Sequence, residues 1–72
     1  MRHTTIEAGQ AMAGDRFYDV HFYGPDKWRP IREAGDFGGP GNYCFLDLGY
    51  CFLVRHKREA VAIKREKATR HA

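Results

Sequence analysis

Apolar residues along this chain fall in runs of about five to eight, the usual length of a β-strand, and glycine or proline separates the runs. Gly9, Gly14, Gly24-Pro25, Pro30, Gly35, Gly38-Gly39-Pro40-Gly41 and Gly49 supply the breaks. The segments between them are too short for long helices, so the middle of the chain is predicted to be β. Arg16 to Tyr23 is the clearest strand, because Phe17, Tyr18, Val20, Phe22 and Tyr23 favour extended backbone and a Gly14-Asp15 turn precedes them. Alternation places Tyr18, Val20 and Phe22 on the core face. Phe17, Asp19, His21 and Tyr23 then form a mixed face toward solvent or a partner.

Gly24-Pro25-Asp26-Lys27 predicts a turn, since Pro25 presets φ and Asp26 bonds nearby amides. A second strand follows from Trp28 to Glu33, and Pro30, which lacks an N–H, requires it to be an edge strand or to break there. Residues Ala34 to Asn42, with four glycines and a proline, predict a mobile loop. Next comes a short internal echo, YCFLDLG followed by YCFLVRH, which reads as two strands, Tyr43 to Leu48 and Tyr50 to His56. Asp47-Leu48-Gly49 is then a three-residue hairpin loop with Gly49 in the left-handed position. A single helix is the competing reading, opposed by Gly49 in its middle and by the aromatic content.

After His56 the composition changes. Lys57-Arg58-Glu59 reads as a polar turn, and Ala60 to Lys64 as a last strand with Val61 and Ile63 facing inward. The Ala, Lys, Arg and Glu content of Lys57 to Arg70 equally suits a helix. Thr4 to Ala8 adds one more strand. The resulting fold class is mainly β, with five or six short antiparallel strands in a small partly open barrel or curled sheet. A short C-terminal helix or disordered basic tail follows it, and the alternative is α+β with a C-terminal helix. Residues 1–64 form the domain and 65–72 the tail.

At 72 residues with 43% hydrophobic content, the chain supports one domain with a modest core. Multi-domain enzymes and large nucleotide-binding folds are excluded. No apolar run reaches the roughly 20 residues of a membrane span, and Met1 to Thr5 lead into no apolar signal region. A soluble, cytoplasmic protein with no membrane contact is expected. Cys44 and Cys51 sit in apolar surroundings and read as small core hydrophobes of a reducing compartment. Their spacing lacks the close pairs of a zinc site, although His21 and His56 would complete a Cys2His2 set if folding gathered them. No cofactor motif is present.

Three groups of residues bear on function. The glycine-rich loop holds a literal GXXG at Gly35-Asp36-Phe37-Gly38, a pattern too short to identify a phosphate clamp, and Asp36 would repel phosphate. Asp19 and His21 share a strand face in this reading, so the carboxylate could orient the imidazole. With His56 and Lys57 they hold the parts of a small metal-independent ribonuclease.

The third group is the basic end. Arg55, Lys57, Arg58, Lys64, Arg65, Lys67 and Arg70 face only Glu59 and Glu66, a balance of +5, while residues 1–54 carry −2 and the whole chain +3. Such a segment attracts phosphates without reading sequence. The aromatics Phe17, Tyr23, Trp28, Phe37, Tyr43 and Tyr50 offer stacking surface for unpaired bases, and Arg29 and Arg32 extend a cationic track beside Trp28. The leading expectation is a non-enzymatic module that binds nucleic acid. The alternative is a protein-interaction module, a small inhibitor or adaptor of a larger complex, homodimeric if an open edge strand self-pairs.

Overall fold

The continuous apolar run Ala60-Val61-Ala62-Ile63 becomes the strand around which the molecule is organised. The computed structural model describes residues 3–65. Within it β1 (His3–Glu7) and β2 (Arg16–Tyr18) flank β7 (Ala60–Lys64), and β3 (Trp28–Pro30) lies beyond β2, in one antiparallel sheet of order β1-β7-β2-β3. A second antiparallel sheet contains β4 (Glu33–Asp36), β5 (Tyr43–Asp47) and β6 (Phe52–His56) in that order. The fold is mainly β, as the strand-length runs predict, with seven strands among the described residues in two sheets that do not close into a barrel. Ala60 to Lys64 is strand and not helix; residues 66–72, which carry the rest of the predicted tail, lie outside the described residues.

The two sheets share one core. Val61 and Ile63 of β7 and Phe17 of β2 face Cys44 and Leu46 of β5, joined by Ala8, Ala11, Ile31 and Leu48. Ile31 occupies the corner where the chain leaves one sheet for the other. Its amide donates to the Asp15 carbonyl at 2.8 Å and its carbonyl accepts from Gly14 at 2.9 Å, while the next amide, of Arg32, donates to Asp47 of β5 at 2.7 Å. Pro30 ends an edge strand here, as its missing N–H requires.

Three expectations about the segments of β2 and β4 are corrected. The strand from Arg16 stops at Tyr18, because Asp19 turns the chain: its side chain accepts from the His21 amide at 3.0 Å and its carbonyl from Phe22 at 3.0 Å. The facing of that strand is also reversed. Phe17 lies opposite Ile63 and is buried, while Tyr18 and Val20 are exposed. The glycine-rich segment, read as loop from Ala34, is strand through Asp36, where Gly35 lets the Phe45 ring lie against the backbone; a Cβ there would sit 3.2 Å from the ring.

The YCFL echo does form a hairpin, with Gly49 at φ +93 as expected. Its loop runs from Leu48 to Cys51, because Asp47 is still strand, pairs with Phe52, and accepts from the Gly49 amide through its side chain at 2.8 Å.

Candidate functional site

Strand register sets the outer face of the four-stranded sheet. His3 lies opposite Lys64, Lys64 opposite Arg16 and Arg16 opposite Pro30, so one row crosses all four strands, and Tyr18 lies opposite Trp28 beside it. Trp28 reaches back across this face. Its indole is 4.8 Å from the Tyr18 ring, 5.7 Å from the His3 ring and 4.6 Å from the Lys64 ammonium. Arg16 stands at the same place, with its guanidinium 3.4 Å from the Trp28 carbonyl. Three aromatic rings and two cations thus share one surface. The basic segment contributes Lys64 to it and the aromatic reading contributes Trp28. Tyr18 was missed because alternation assigned it to the core; its pairing with Trp28 depends on the β2–β3 register, which no local pattern encodes.

The other described cations of the basic segment are dispersed. Arg65 donates from Nε and from its terminal nitrogen to the two carboxylate oxygens of buried Asp15, at 2.8 Å each, and also to the Gln10 carbonyl at 3.1 Å. Burial pushes the Asp15 carboxyl up, but hydrogen bonds from Arg65 and from the Met12 amide, together with the Arg65 charge, outweigh it and hold the group below its ordinary value. Lys57 pairs with Asp36 at 2.9 Å and Arg55 with Glu59 at 3.5 Å. Arg58 is exposed at the turn after β6, beside a shallow open depression lined also by Thr5, Ile6, Glu7, Gln10 and Ala60. Lys67 lies outside the described residues.

The predicted track beside Trp28 does not form. Arg29, next to Trp28 on a strand, points to the opposite face, where its guanidinium carbon lies 4.3 Å above the Phe22 ring and 5.9 Å from that of Tyr50. Its Nε is buried without a hydrogen-bond partner among the described residues. Arg32 is exposed beside Gly49, away from the indole. Of the aromatics expected to stack, Phe17 is in the core, and Tyr23 is fully exposed in the β2–β3 loop.

The acid–base pairing of Asp19 and His21 is also absent. One Asp19 oxygen holds the His21 backbone amide and the other accepts from the Tyr50 hydroxyl at 2.6 Å. Burial, then this hydrogen bond and the Asp19 charge, push the Tyr50 phenol up to about 12. His21 sits in the loop that meets Tyr50 through Phe22 (5.1 Å between rings), at one end of the β5–β6 hairpin. His56 ends β6 at the other, edge-on to Tyr43 at 5.5 Å, its Nδ1 accepting from the Arg58 amide. The geometry therefore separates the two histidines that a ribonuclease reading needs together. Cys44 and Cys51 are free thiols, both pushed up by burial. Among the described residues no group of three or more His, Cys, Asp or Glu side chains is placed to hold a metal ion.

The outer face of the three-stranded sheet has a different character. Phe45 stacks on Phe52 at 5.1 Å, Phe37 lies 6.0 Å from Phe52, and Val54, Tyr43 and His56 complete the surface. Phe37, Tyr43, Phe52 and Val54 are all exposed. Its charged side chains are the acids Glu33 and Asp47 at one end. Alternation in the YCFL strands carried the signal for Phe45, Phe52 and Val54, once each strand is assigned one buried face. Among the described residues no helix is long and apolar enough to cross a membrane. Compared with known protein families, with curated proteins and with solved structures, the chain shows no significant match.

Proposed function

We propose that this protein is a small binding module that holds single-stranded nucleic acid on the outer face of the β1-β7-β2-β3 sheet. The observation that carries this reading is the meeting of Trp28, Tyr18 and His3 with Lys64 and Arg16 on one surface. Aromatic faces take bases by stacking with little regard to sequence, and adjacent cations neutralise the phosphates between them. The opposite sheet offers aromatics with acids, an arrangement that repels a polyanion. This reading moves the contact from the basic tail to the sheet, because Arg55, Lys57 and Arg65 are already paired within the fold.

Trp28 is the only tryptophan, so its fluorescence reports on this face alone. Titration with a pyrimidine oligonucleotide at low salt is expected to quench it. Two phosphate contacts give a slope of log affinity against log salt of about −1.4. Trp28→Ala is expected to weaken binding by about 1–3 kcal/mol, and Lys64→Gln with Arg16→Gln to flatten the slope. Unchanged fluorescence at saturating oligonucleotide would exclude the reading.

A second reading, a protein-interaction module, draws on the cluster of exposed Phe37, Phe52 and Val54 with half-buried Phe45, since contiguous aromatic surface of this kind marks protein contacts. Phe37→Ser with Phe52→Ser is expected to leave oligonucleotide binding unchanged, which separates the two faces.

A further inference from the structure

We propose that β6 pairs antiparallel with β6 of a second copy of this chain, joining two three-stranded sheets into one of six strands. The inference rests on the reading of the β4-β5-β6 side as the protein-binding side, and it names the partner and the register.

Four strands end the two sheets: β1, β3, β4 and β6. Sheet edges are templates for further pairing unless proline, charge, short length or glycine blunts them. β3 is three residues long and ends at Pro30. β4 carries Glu33, Gly35 and Asp36. β1 is polar at His3, Thr4, Thr5 and Glu7. β6 reads Phe52-Leu53-Val54-Arg55-His56, five residues with no proline or glycine and with Arg55 as the one side chain that carries a full charge.

The hydrogen bonds give the direction in which β6 is open. The Leu48 amide donates to the Cys51 carbonyl at 3.0 Å and the Lys57 amide to the Asn42 carbonyl at 2.7 Å, so residues 53 and 55, the carbonyl of 51 and the amide of 57 turn toward β5. Phe52, Val54 and His56 therefore turn theirs outward. None of these three amides donates to another group among the described residues. The His56 carbonyl accepts from Glu59 at 2.9 Å, and the Val54 carbonyl from the Arg55 side chain at 3.0 Å. The segment after β1 closes only the far end, where Gly9 donates to the Lys57 carbonyl and Ala8 to that of Glu59.

A second copy fits this edge. With the two-fold axis at Val54, that residue faces the partner's Val54, Phe52 faces the partner's His56, and Leu53 faces the partner's Arg55. No like charges oppose one another, and each of the three outward amides meets a partner carbonyl, those of Val54 and His56 accepting through their second lone pair. The two aromatic outer faces then run on as one surface. The contact is small against the roughly 800 Å² per partner of a standard interface, so dimerisation is expected to depend on concentration.

Sedimentation velocity across a concentration series tests this on the full chain. The wild type is expected to pass from monomer to dimer. Val54→Lys, which opposes two ammonium groups, and Val54→Pro, which removes a donor that β5 does not use, are each expected to weaken association at least tenfold, with the circular dichroism spectrum unchanged. A wild type that stays monomeric at its solubility limit overturns the proposal. If both Val54 variants dimerise as the wild type does and Phe37→Ser abolishes the dimer, edge pairing is overturned while the outer face stands as the interface. Should Val54→Pro fail to fold, Val54→Lys decides alone.

Discussion

Arg65 holds both oxygens of the buried Asp15 carboxylate, across fifty residues of chain, with its Nε and terminal nitrogen 2.8 Å from them. The carboxylate also caps the turn before β2 by accepting from the Met12 amide at 2.9 Å. The last described residue is therefore anchored to the first loop of the fold, directly beneath the Ile31 corner, whose amide donates to the Asp15 carbonyl. A cation that sequence reading assigns to phosphate instead satisfies a buried acid.

Removing the guanidinium leaves that acid uncompensated. Arg65→Ala is expected to destabilise the fold by about 2–3 kcal/mol, below the range for a fully buried pair because the arginine is partly solvated. For a domain of this size that is roughly 10–20 °C in melting temperature, read by thermal circular dichroism. The acid limb follows from the depressed Asp15 value: the stabilisation is complete above the ordinary 3.8 and is lost as pH falls through the lower folded value. Asp15→Asn is expected to be less stable at neutral pH and to lose this component of the acid dependence.

Tyr50→Phe removes the hydroxyl that Asp19 accepts and is expected to cost about 1 kcal/mol, because the second Asp19 oxygen keeps its bond to the His21 amide. In the wild type the raised phenol value, about 12 against the ordinary 10, means that this contribution is intact below pH 10 and disappears as pH rises toward 12. Alkaline ultraviolet titration is expected to show a late phase from Tyr50, and Tyr50→Phe to lose it.

Gly49→Ala forces an L-residue to hold φ +93 and places a Cβ 3.0 Å from the Arg32 side chain. Arg32 is flexible and gives way, so the expected cost is the backbone term, about 1–2 kcal/mol. Urea denaturation checks it, with an unchanged slope because the same surface is exposed on unfolding.

Local chemistry made several elements legible. Pro30 announces an edge and a break because a missing donor has the same consequence in any sheet. The apolar run at Ala60 to Ile63 suits a strand because Val61 and Ile63 alternate into the core while only small alanines lie between them on the outer face. Gly49 declares its turn because the left-handed region costs it nothing. The reversed facing of Phe17 and Tyr18 was not legible. A three-residue strand is too short for its own alternation to decide, and the pairing of Phe17 with Ile63 decides instead. Val20 and Phe22 belong to a turn, so counting them as strand positions pointed to the wrong face.

The amino-acid sequence by itself determined the class of the molecule: strand-length apolar runs, turn residues at their boundaries, and a core drawn from the β5 and β7 segments. These follow from interactions between near neighbours, which the order of residues records directly. Only the tertiary structure decided what the charges and aromatics do. Of the basic C-terminal segment, +5 in sequence, folding pairs Arg65 with Asp15, Lys57 with Asp36 and Arg55 with Glu59, and sets Lys64 against Trp28. Charge pairs and ring contacts of this kind join residues up to fifty positions apart. They are set by strand register and by which sheet face each side chain occupies, and a slip of one residue would reverse them.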